Sequence, residues 1–498
     1  MKPGNSIFKN ATWNILSTIC NLLMVFFCTP LIIRNLGATN YGIYIILGTI
    51  GGILSVASLG MGEATLKYVA QYSAENNRPE VRKVFTSTFT IYAALGGVIT
   101  VFLWIFPEFF IRLLKIDKAE EAIWLFRATA LTFWIHLVGG CFTAIPKAAQ
   151  RYEFCTYVSI VQNLLQLFAV FLVVRLGYGI RGLIYATLLN AIVIVVINWM
   201  IAKCLLPYLG FSWPGIQGFK KVINYGVMIF GSQIVGLLWQ YSDNIILSAF
   251  IGPQAVSYFS VPMQTVGKGF GLINSGTAVL FPHFSALSSD YGKNEEKIKE
   301  VYIKATQIGL LSSIIMCVPL AVMLPDFLRL WISEDFARQS SFIATILAAS
   351  YIIRGAFLPY DSLFKGLGYP KYIFIITLAS SLCIFIFDLV AIPLFGINGV
   401  GLSYVISSLV GVAAIIFIFK KILFIPMTIF WRDLASLYFT GVAFFFALLF
   451  FRGHDFWPHG NWGSFILMSA AVFVINIITI ICSSKLFNTR LYFKSRLQ

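Results

Sequence analysis

Apolar segments long enough to cross a lipid bilayer recur along the whole chain and constrain its fold more than any other feature. A transmembrane helix needs about 20 predominantly apolar residues, and we count fourteen such segments in the sequence. Backbone N–H and C=O groups in lipid have no water to bond to and must form hydrogen bonds with one another, which an α-helix of this length allows within a single segment. The approximate limits are Thr12–Ile33, Tyr41–Gly62, Thr86–Phe106, Ala122–Phe142, Thr156–Val174, Ile180–Ile201, Val222–Phe250, Ala255–Phe281, Lys304–Leu324, Ser341–Leu358, Tyr372–Ile392, Ile397–Phe419, Asp433–Phe451 and Gly463–Cys482. The sequence therefore predicts an all-α polytopic membrane protein.

The composition agrees with a chain that lies mostly in lipid. Of 498 residues, 59% are hydrophobic and 11% are charged, against about 45–50% and about 25% in a soluble domain. The net charge of +16 comes from Lys and Arg placed between the apolar segments rather than on one basic face, so we expect no nucleic-acid partner. The eight cysteines form no Cys-x-x-Cys motif, and we expect neither a disulfide framework nor a bound metal.

The basic residues also predict an orientation. Most Lys and Arg outside the apolar segments fall on the same side as the two termini. Because cytoplasmic loops carry the excess of positive charge, we expect both termini in the cytoplasm and a multi-pass protein of the inner (plasma) membrane.

The two parts of the chain resemble one another. Three pairs share a nearly constant offset, namely Gly37 with Gly252, Lys147 with Lys365, and Gly177 with Gly396. Six crossings per repeat give both repeats the same orientation, with an axis along the membrane normal. We therefore predict two pseudo-symmetric six-helix bundles around a cavity, plus two C-terminal helices. The predicted domains are residues 1–206 (first bundle), 207–221 (cytoplasmic linker), 222–421 (second bundle) and 422–498 (two additional helices and a cytoplasmic tail).

Three basic side chains fall inside the apolar segments. Lys268, Arg354 and His136 each lie about 20 Å from the outer end of their segment, at about 1.5 Å per residue. A charge at this depth costs about 2.5–3.5 kcal/mol on insertion scales. We expect Lys268 and Arg354 to bind an anionic substrate, with a structural ion pair as the alternative. For His136, a hydrogen-bonded packing role is the more ordinary interpretation, and substrate contact is the alternative.

A second group of polar residues is acidic. Asp243 and Asp388 fall in the outer half of the second bundle, with Ser403 and Asn398 at comparable depth. Two carboxylates with neutral oxygens could hold Na⁺ or relay a proton. The alternative is that each carboxylate neutralises a basic neighbour, for instance Asp243 with Lys268. Apart from such a coupling ion, we expect no cofactor.

Glu63 and Lys67 lie one helical turn apart near the inner end of the second segment. The acidic residue comes first, which is the favourable order for an i,i+4 ion pair. A surface pair at the cytoplasmic mouth is the expected arrangement, and contact with an entering substrate is the alternative.

Several loose motifs, in a characteristic order, resemble the Wzx-type flippases of lipid-linked oligosaccharides, which share a superfamily with the multidrug and toxic-compound extruders. They are Leu36-Gly37-x-x-x-Tyr41-Gly42-x-Tyr44, Leu59-Gly60-x-Gly62-x-Ala64-x-x-Lys67-Tyr68-x-Ala70, Asp243 ahead of Gly252 and Tyr258, Gly366-x-Gly368-x-Pro370-Lys371-Tyr372, and Gly396-Ile397-x-Gly399-x-Gly401. One departure is Ser58, where family members often carry an acidic residue, so we assign that position no role.

The resemblance implies a two-bundle exporter rather than an enzyme. Its substrate would be an undecaprenyl-diphosphate-linked oligosaccharide, such as an O-antigen or a similar polysaccharide repeat unit, moved from the inner to the outer leaflet. By the same analogy, Lys268 and Arg354 would meet the diphosphate or acidic sugars, and Asp243 with Asp388 would bind the coupling ion. Membrane lipid and other polysaccharide-assembly membrane proteins are the expected partners.

Two alternatives remain open. A cation-coupled multidrug exporter would share the fold, but its substrates are usually cationic and would favour acidic side chains at the centre of the cavity. A membrane glycosyltransferase or polysaccharide polymerase would need a sizeable extramembrane loop, and the outer connections are short.

Overall fold

The computed structural model describes residues 3–58, 60–116, 119–277, 280–288, 291–452 and 461–486. Helices account for nearly all of these ranges, which contain no β-strand, so the predicted all-α fold is confirmed. The helices are α1 (Pro3–Leu54), α2 (Met61–Ala74), α3 (Arg78–Ile105), α4 (Pro107–Leu113), α5 (Ala119–Ala148), α6 (Tyr152–Leu176), α7 (Gly179–Leu205), α8 (Gly215–Phe250), α9 (Pro253–Thr277), α10 (Leu280–Ser288), α11 (Tyr291–Trp331), α12 (Glu334–Arg354), α13 (Tyr360–Gly366), α14 (Pro370–Phe395), α15 (Ile397–Phe417), α16 (Met427–Ile429), α17 (Ser436–Arg452) and α18 (Trp462–Leu486).

The protein crosses the membrane several times. Among the described residues, ten helical segments are long and apolar enough to span a bilayer. One of them, Leu16–Ser58, includes most of the first two predicted segments, and the count of fourteen stays a prediction. Large apolar side chains cover the outside of these helices, as on α6, where Leu164 and Phe168 are 60% and 61% exposed. Apolar faces of this extent suit lipid rather than water.

The first connection differs from the prediction. The sequence predicts a loop between Ile33 and Tyr41, whereas α1 continues through this region with one break at Gly37 (φ 86°, ψ 161°). Glycine adopts this positive φ without steric cost. Next to the break, a Cβ on Gly42 would lie 1.8 Å from the Pro253 carbonyl oxygen. The absence of a side chain at Gly42 therefore lets the two backbones meet.

The predicted repeat is visible in the backbone. Positive φ recurs at three equivalent pairs of positions, which are Gly37 with Gly252, Gln150 with Gly368, and Gly177 with Gly396. Gly37 and Gly252 each separate two long helical segments. Gly177 lies between α6 and α7, and its equivalent Gly396 lies between α14 and α15. The middle pair was missed in the sequence because one member is glutamine and the other glycine.

Contacts within the chain divide it into two compact units, Met1–Ser257 and Tyr258–Gln498. In the first unit, α8 packs against α1, α2 and α3. Asn244 Nδ2 on α8 donates a hydrogen bond to Thr49 Oγ1 at 2.9 Å. The predicted domain boundaries, which follow the repeat rather than the packing, stay predictions.

In the second unit, a side chain of α18 completes the backbone hydrogen bonds of α11. Pro319 lies inside α11 and has no N–H, so the carbonyl of Ile315, four residues earlier, lacks its helical donor. Asn476 Nδ2 donates to this oxygen at 3.2 Å and to the Ile314 carbonyl at 3.0 Å. Membrane helices tolerate proline where a neighbouring helix satisfies the freed carbonyl in this way. The C-terminal helix is thus part of the packing of α11.

We predict that Asn476→Leu lowers the free energy of unfolding by about 1–2 kcal/mol, the range found for polar contacts between membrane helices in model peptides. The matched control is Asn198→Leu, because Asn198 is also buried but donates to the Ile194 carbonyl of its own helix. Thermal unfolding of the two detergent-solubilised variants provides the comparison. Equal destabilisation by both changes would contradict the role assigned to Asn476.

Candidate functional site

Arg354, the last residue of α12, lies half-buried at the centre of a polar and aromatic cluster in the second unit. Its Nε donates to Ser408 Oγ at 3.3 Å and its Nη2 to Ser407 Oγ at 3.5 Å. The guanidinium carbon is 5.3 Å from the Tyr351 ring centroid and 5.2 Å from that of Tyr404. Both distances are within cation–π range. We call these five residues the Arg354 cluster.

The two serine hydroxyls are oriented by backbone carbonyls. Ser407 Oγ donates to the Ser380 carbonyl at 3.2 Å, and Ser408 Oγ donates to the Tyr404 carbonyl at 2.7 Å. A hydroxyl has one proton to donate and two lone pairs that accept. Each serine oxygen can therefore accept from the guanidinium while its own proton is held by a carbonyl.

Close packing after α12 sets the position of Arg354. The chain continues into a 3₁₀ turn, Gly355–Phe357, where a Cβ on Gly355 would lie 2.0 Å from Ser313 Oγ. A Cβ on Gly309 of α11 would lie 2.5 Å from the Gly355 carbonyl oxygen. Glycine at both positions thus lets the turn lie directly against α11.

An added C-terminal helix also supports this end of α12. Tyr438 on α17 donates its hydroxyl to the Ile353 carbonyl at 2.6 Å. The last carbonyls of a helix have no partner within the helix. Tyr438 therefore supplies a donor to the Ile353 carbonyl, which would be costly to leave without a hydrogen bond in lipid.

Lys268 lies on α9, and its segment contacts the Arg354 cluster through Tyr351. The rings of Phe270 and Tyr351 are 4.7 Å apart in an edge-to-face arrangement. A Cβ on Gly267 would be 3.9 Å from the Tyr351 hydroxyl. Lys268 itself is half-buried. The structure therefore brings the α9 segment that carries Lys268 against the aromatic ring that stacks on Arg354.

His136 lies on α5 in the first unit, and its side chain is exposed. Arg354 belongs to the second unit. The prediction that these two residues line one cavity stays a prediction.

Glu63 and Lys67 do not belong to the second apolar segment, in contrast to the prediction. That helix ends at Leu54 and passes through a 3₁₀ turn, and both residues lie on the separate helix α2. Gly60, in a left-handed conformation (φ 68°), starts α2 and explains the break. Both side chains are exposed, and Lys67 Nζ is 5.3 Å from the Tyr68 ring centroid.

The four predicted ion-coupling residues are divided between the two units. Asp243 lies on α8 in the first unit, 3% exposed, and accepts a hydrogen bond from Ser242 Oγ at 3.3 Å. Asp388 on α14 and Ser403 on α15 belong to the second unit, and both are 0% exposed. Asn398, in the first turn of α15, is half-buried.

The α14–α15 hairpin places Asp388 and Ser403 at the same depth. Its helices touch where a Cβ on Gly399 would lie 2.3 Å from the Ala391 carbonyl oxygen. Asp388 is one turn before Ala391 and Ser403 one turn after Gly399, which puts both the same distance from the hairpin turn. Within the ranges that the structure describes, no three His, Cys, Asp or Glu side chains form a group that could hold a metal ion.

Sequence reasoning missed most of the Arg354 cluster. Tyr351 lies three residues before Arg354 and so on the same helix face, which was an available signal. Tyr404, Ser407 and Ser408 come from α15, and the packing of α12 on α15 is a tertiary contact that no local pattern contains.

We predict that Gly355→Ala disturbs the cluster, because the new methyl group would overlap Ser313. Overpacking of this kind costs about 1–3 kcal/mol. Gly271→Ala is the matched control, since nothing lies within 4 Å of a Cβ there and alanine favours helix by up to about 1 kcal/mol. Thermal unfolding of both variants tests this, and a Gly355→Ala protein as stable as Gly271→Ala would be inconsistent with the close packing.

Comparison with known proteins agrees with this architecture. The profile of the polysaccharide biosynthesis protein family matches residues 7–288, and a second profile, MatE, matches residues 229–390. A putative O-antigen transporter of Shigella flexneri is 22% identical over 74% of this chain and 86% of its own length. A probable low-salt glycan biosynthesis flippase of Haloferax volcanii is 22% identical over 84% of each chain.

Among solved structures, the lipid II flippase MurJ in an inward closed conformation superposes with a TM-score of 0.72. The match covers 97% of this chain and 99% of that one at 16% identity, so the two share a fold. The resemblance found in the sequence motifs is confirmed, because the first profile covers more than half of the residues. The chain belongs to the polysaccharide biosynthesis protein family.

Proposed function

We propose that this protein is a flippase for an anionic lipid-linked oligosaccharide, which it moves from the cytoplasmic to the outer leaflet by alternating access. The substrate class is an undecaprenyl-diphosphate-linked repeat unit, such as an O-antigen unit. The observation that carries the proposal is the Arg354 cluster, which lies on membrane-spanning helices, with the Lys268 segment of α9 beside it. The names of the Shigella and Haloferax relatives support the substrate class.

The chemistry of the cluster suits a phosphate ligand. A guanidinium offers five donors in a planar fork that matches phosphate oxygens. Serine oxygens and aromatic rings orient this group. Because a charge in lipid is costly, a cation kept at this depth favours a function in binding an anion.

The membrane potential would assist transport in this direction. With the cytoplasm negative, moving one negative charge outward releases about 2.3 kcal/mol per 100 mV. An ion gradient could add to this through Asp243 and Asp388, each of which is buried in one of the two units.

We predict that Lys268→Ala and Arg354→Ala each abolish export while the protein still inserts into the membrane. Arg354→Lys should also be strongly impaired, since an ammonium lacks the planar fork. Lys297→Ala and Arg338→Ala are the matched controls, because both side chains are exposed. The assay follows lipid-linked oligosaccharide in cells in which the variant replaces the wild type. Accumulation in the inner leaflet is expected for Lys268→Ala, Arg354→Ala and Arg354→Lys. Normal export by both Lys268→Ala and Arg354→Ala would refute the anionic site.

For the acidic residues, Asp243→Asn and Asp388→Asn are expected to change the dependence of transport on Na⁺ or pH, since an amide removes the charge that a coupling ion would neutralise. Asp361→Asn is the control, because this carboxylate is only partly buried and pairs with Lys365 at 2.6 Å. Initial rates measured across a series of Na⁺ concentrations and pH values provide the test. Ion dependence that stays fully intact in both buried variants would show that the coupling ion binds elsewhere.

A multidrug exporter is the second candidate, and the MatE match over residues 229–390 favours it. The two proposals differ in the charge of the substrate. Loss of drug resistance together with normal glycan export in a deletion strain would support the second candidate. Loss of oligosaccharide synthesis or polymerisation, rather than of its transfer, would instead support an enzyme.

A further inference from the structure

The connection between α7 and α8 presents large apolar side chains outward, although it is firmly attached to the rest of the first unit. Trp213 is 85% exposed and Ile216, in the first turn of α8, is 86% exposed. These are among the most exposed large apolar side chains of the described chain. Neither residue contributes to the Arg354 cluster.

Four contacts hold this connection in place. Arg82 Nε donates to the Tyr208 carbonyl at 2.5 Å, and the Arg78 guanidinium lies 5.1 Å from the Tyr208 ring centroid. Lys203 Nζ donates to the Leu209 carbonyl. The Ser212 backbone amide donates to Thr86 Oγ1 at 3.0 Å. The backbone is therefore fixed while Trp213 points away from the protein.

The connection lies at the edge of the bilayer. It follows directly on α7, a membrane-spanning segment of 27 residues ending at Leu205. The lipid-facing side of α7 continues towards it, since Trp199 and Met200 are 47% and 58% exposed. The connection thus begins at the end of a helix whose exposed apolar side chains suit lipid.

The length of α8 leads to the same position. Its 36 residues extend about 54 Å at 1.5 Å per residue, whereas the hydrocarbon core is about 30 Å thick. Because the first turns of α8 follow the short connection that leaves α7 at Leu205, we place these turns, rather than the far end of α8, at the edge of the bilayer. They present Ile216, Lys220 and Ile223 outward, at the i, i+4, i+7 spacing of one helix face. A lysine between apolar side chains is typical of a helix face at the headgroup level.

We propose that Trp213, Ile216 and the first turns of α8 form an interfacial anchor that inserts into the headgroup region of the leaflet next to the ends of α7 and α8. Tryptophan prefers this depth because its ring is apolar and its N–H is polar. Lys220 extends its ammonium to the lipid phosphates while its methylenes stay among the apolar side chains. The positive-inside pattern predicts that this is the cytoplasmic leaflet. The anchor is independent of the transported substrate.

The test uses the full-length protein in nanodiscs of phosphatidylcholine and phosphatidylglycerol that carry bromine either near the headgroup or near the end of the acyl chain. Bromine quenches nearby tryptophan fluorescence. Trp213→Phe should remove part of the fluorescence that bromine near the headgroup quenches. Quenching by bromine near the end of the acyl chain should stay almost unchanged. Trp199→Phe is the matched control, because Trp199 lies about 9 Å further along α7 from Leu205 and should lose deep quenching instead.

Iodide, a quencher dissolved in the buffer, shows whether water or protein, rather than lipid, surrounds Trp213. If Trp213→Phe removes an iodide-quenched component and leaves shallow quenching unchanged, Trp213 faces water and the anchor is refuted. If neither quencher reports Trp213, a protein surface covers it, either a second copy or another partner, and the proposal also fails. Both substitutions are at exposed positions, and an unchanged unfolding midpoint verifies that each variant is folded.

Discussion

The absence of water in the bilayer core is the constraint on which the rest of this structure depends. Every buried carbonyl, amide and charge must find its partner in the protein. Asn476 supplies the donor that Pro319 removes from the Ile315 carbonyl, and Tyr438 donates to the Ile353 carbonyl at the end of α12. Interruptions of membrane helices are thus stable here because neighbouring helices complete their hydrogen bonds.

The same constraint connects the fold to the proposed function. Arg354 stays in the membrane because serine hydroxyls and aromatic rings hold it, and the glycines around the following turn let those partners approach. The additional C-terminal helices contribute to this arrangement through Tyr438 and Asn476. They therefore support the helices that carry the Arg354 cluster.

The sequence predicts the helices well because their apolar length is a local property. The positive-φ pairs also had a local signal wherever glycine occupies both members, as at Gly177 and Gly396. The Arg354 cluster was only partly predictable, since depth identified Arg354 itself but α15 supplies three of the five residues. The helix break before α2 was missed because residues 55–62 contain no charged side chain, and the left-handed conformation of Gly60 is a backbone property that composition does not indicate.

Transfer of substrate by the purified protein tests the central claim most directly. The protein would be reconstituted into liposomes with a fluorescent polyprenyl-diphosphate oligosaccharide in the inner leaflet, and a membrane-impermeant quencher outside would report its arrival. We expect faster arrival than in protein-free liposomes, with the increase absent when Arg354→Ala replaces the wild type. Arrival no faster than in protein-free liposomes, or an undiminished rate with Arg354→Ala, would contradict a flippase that binds its anionic substrate through this cluster.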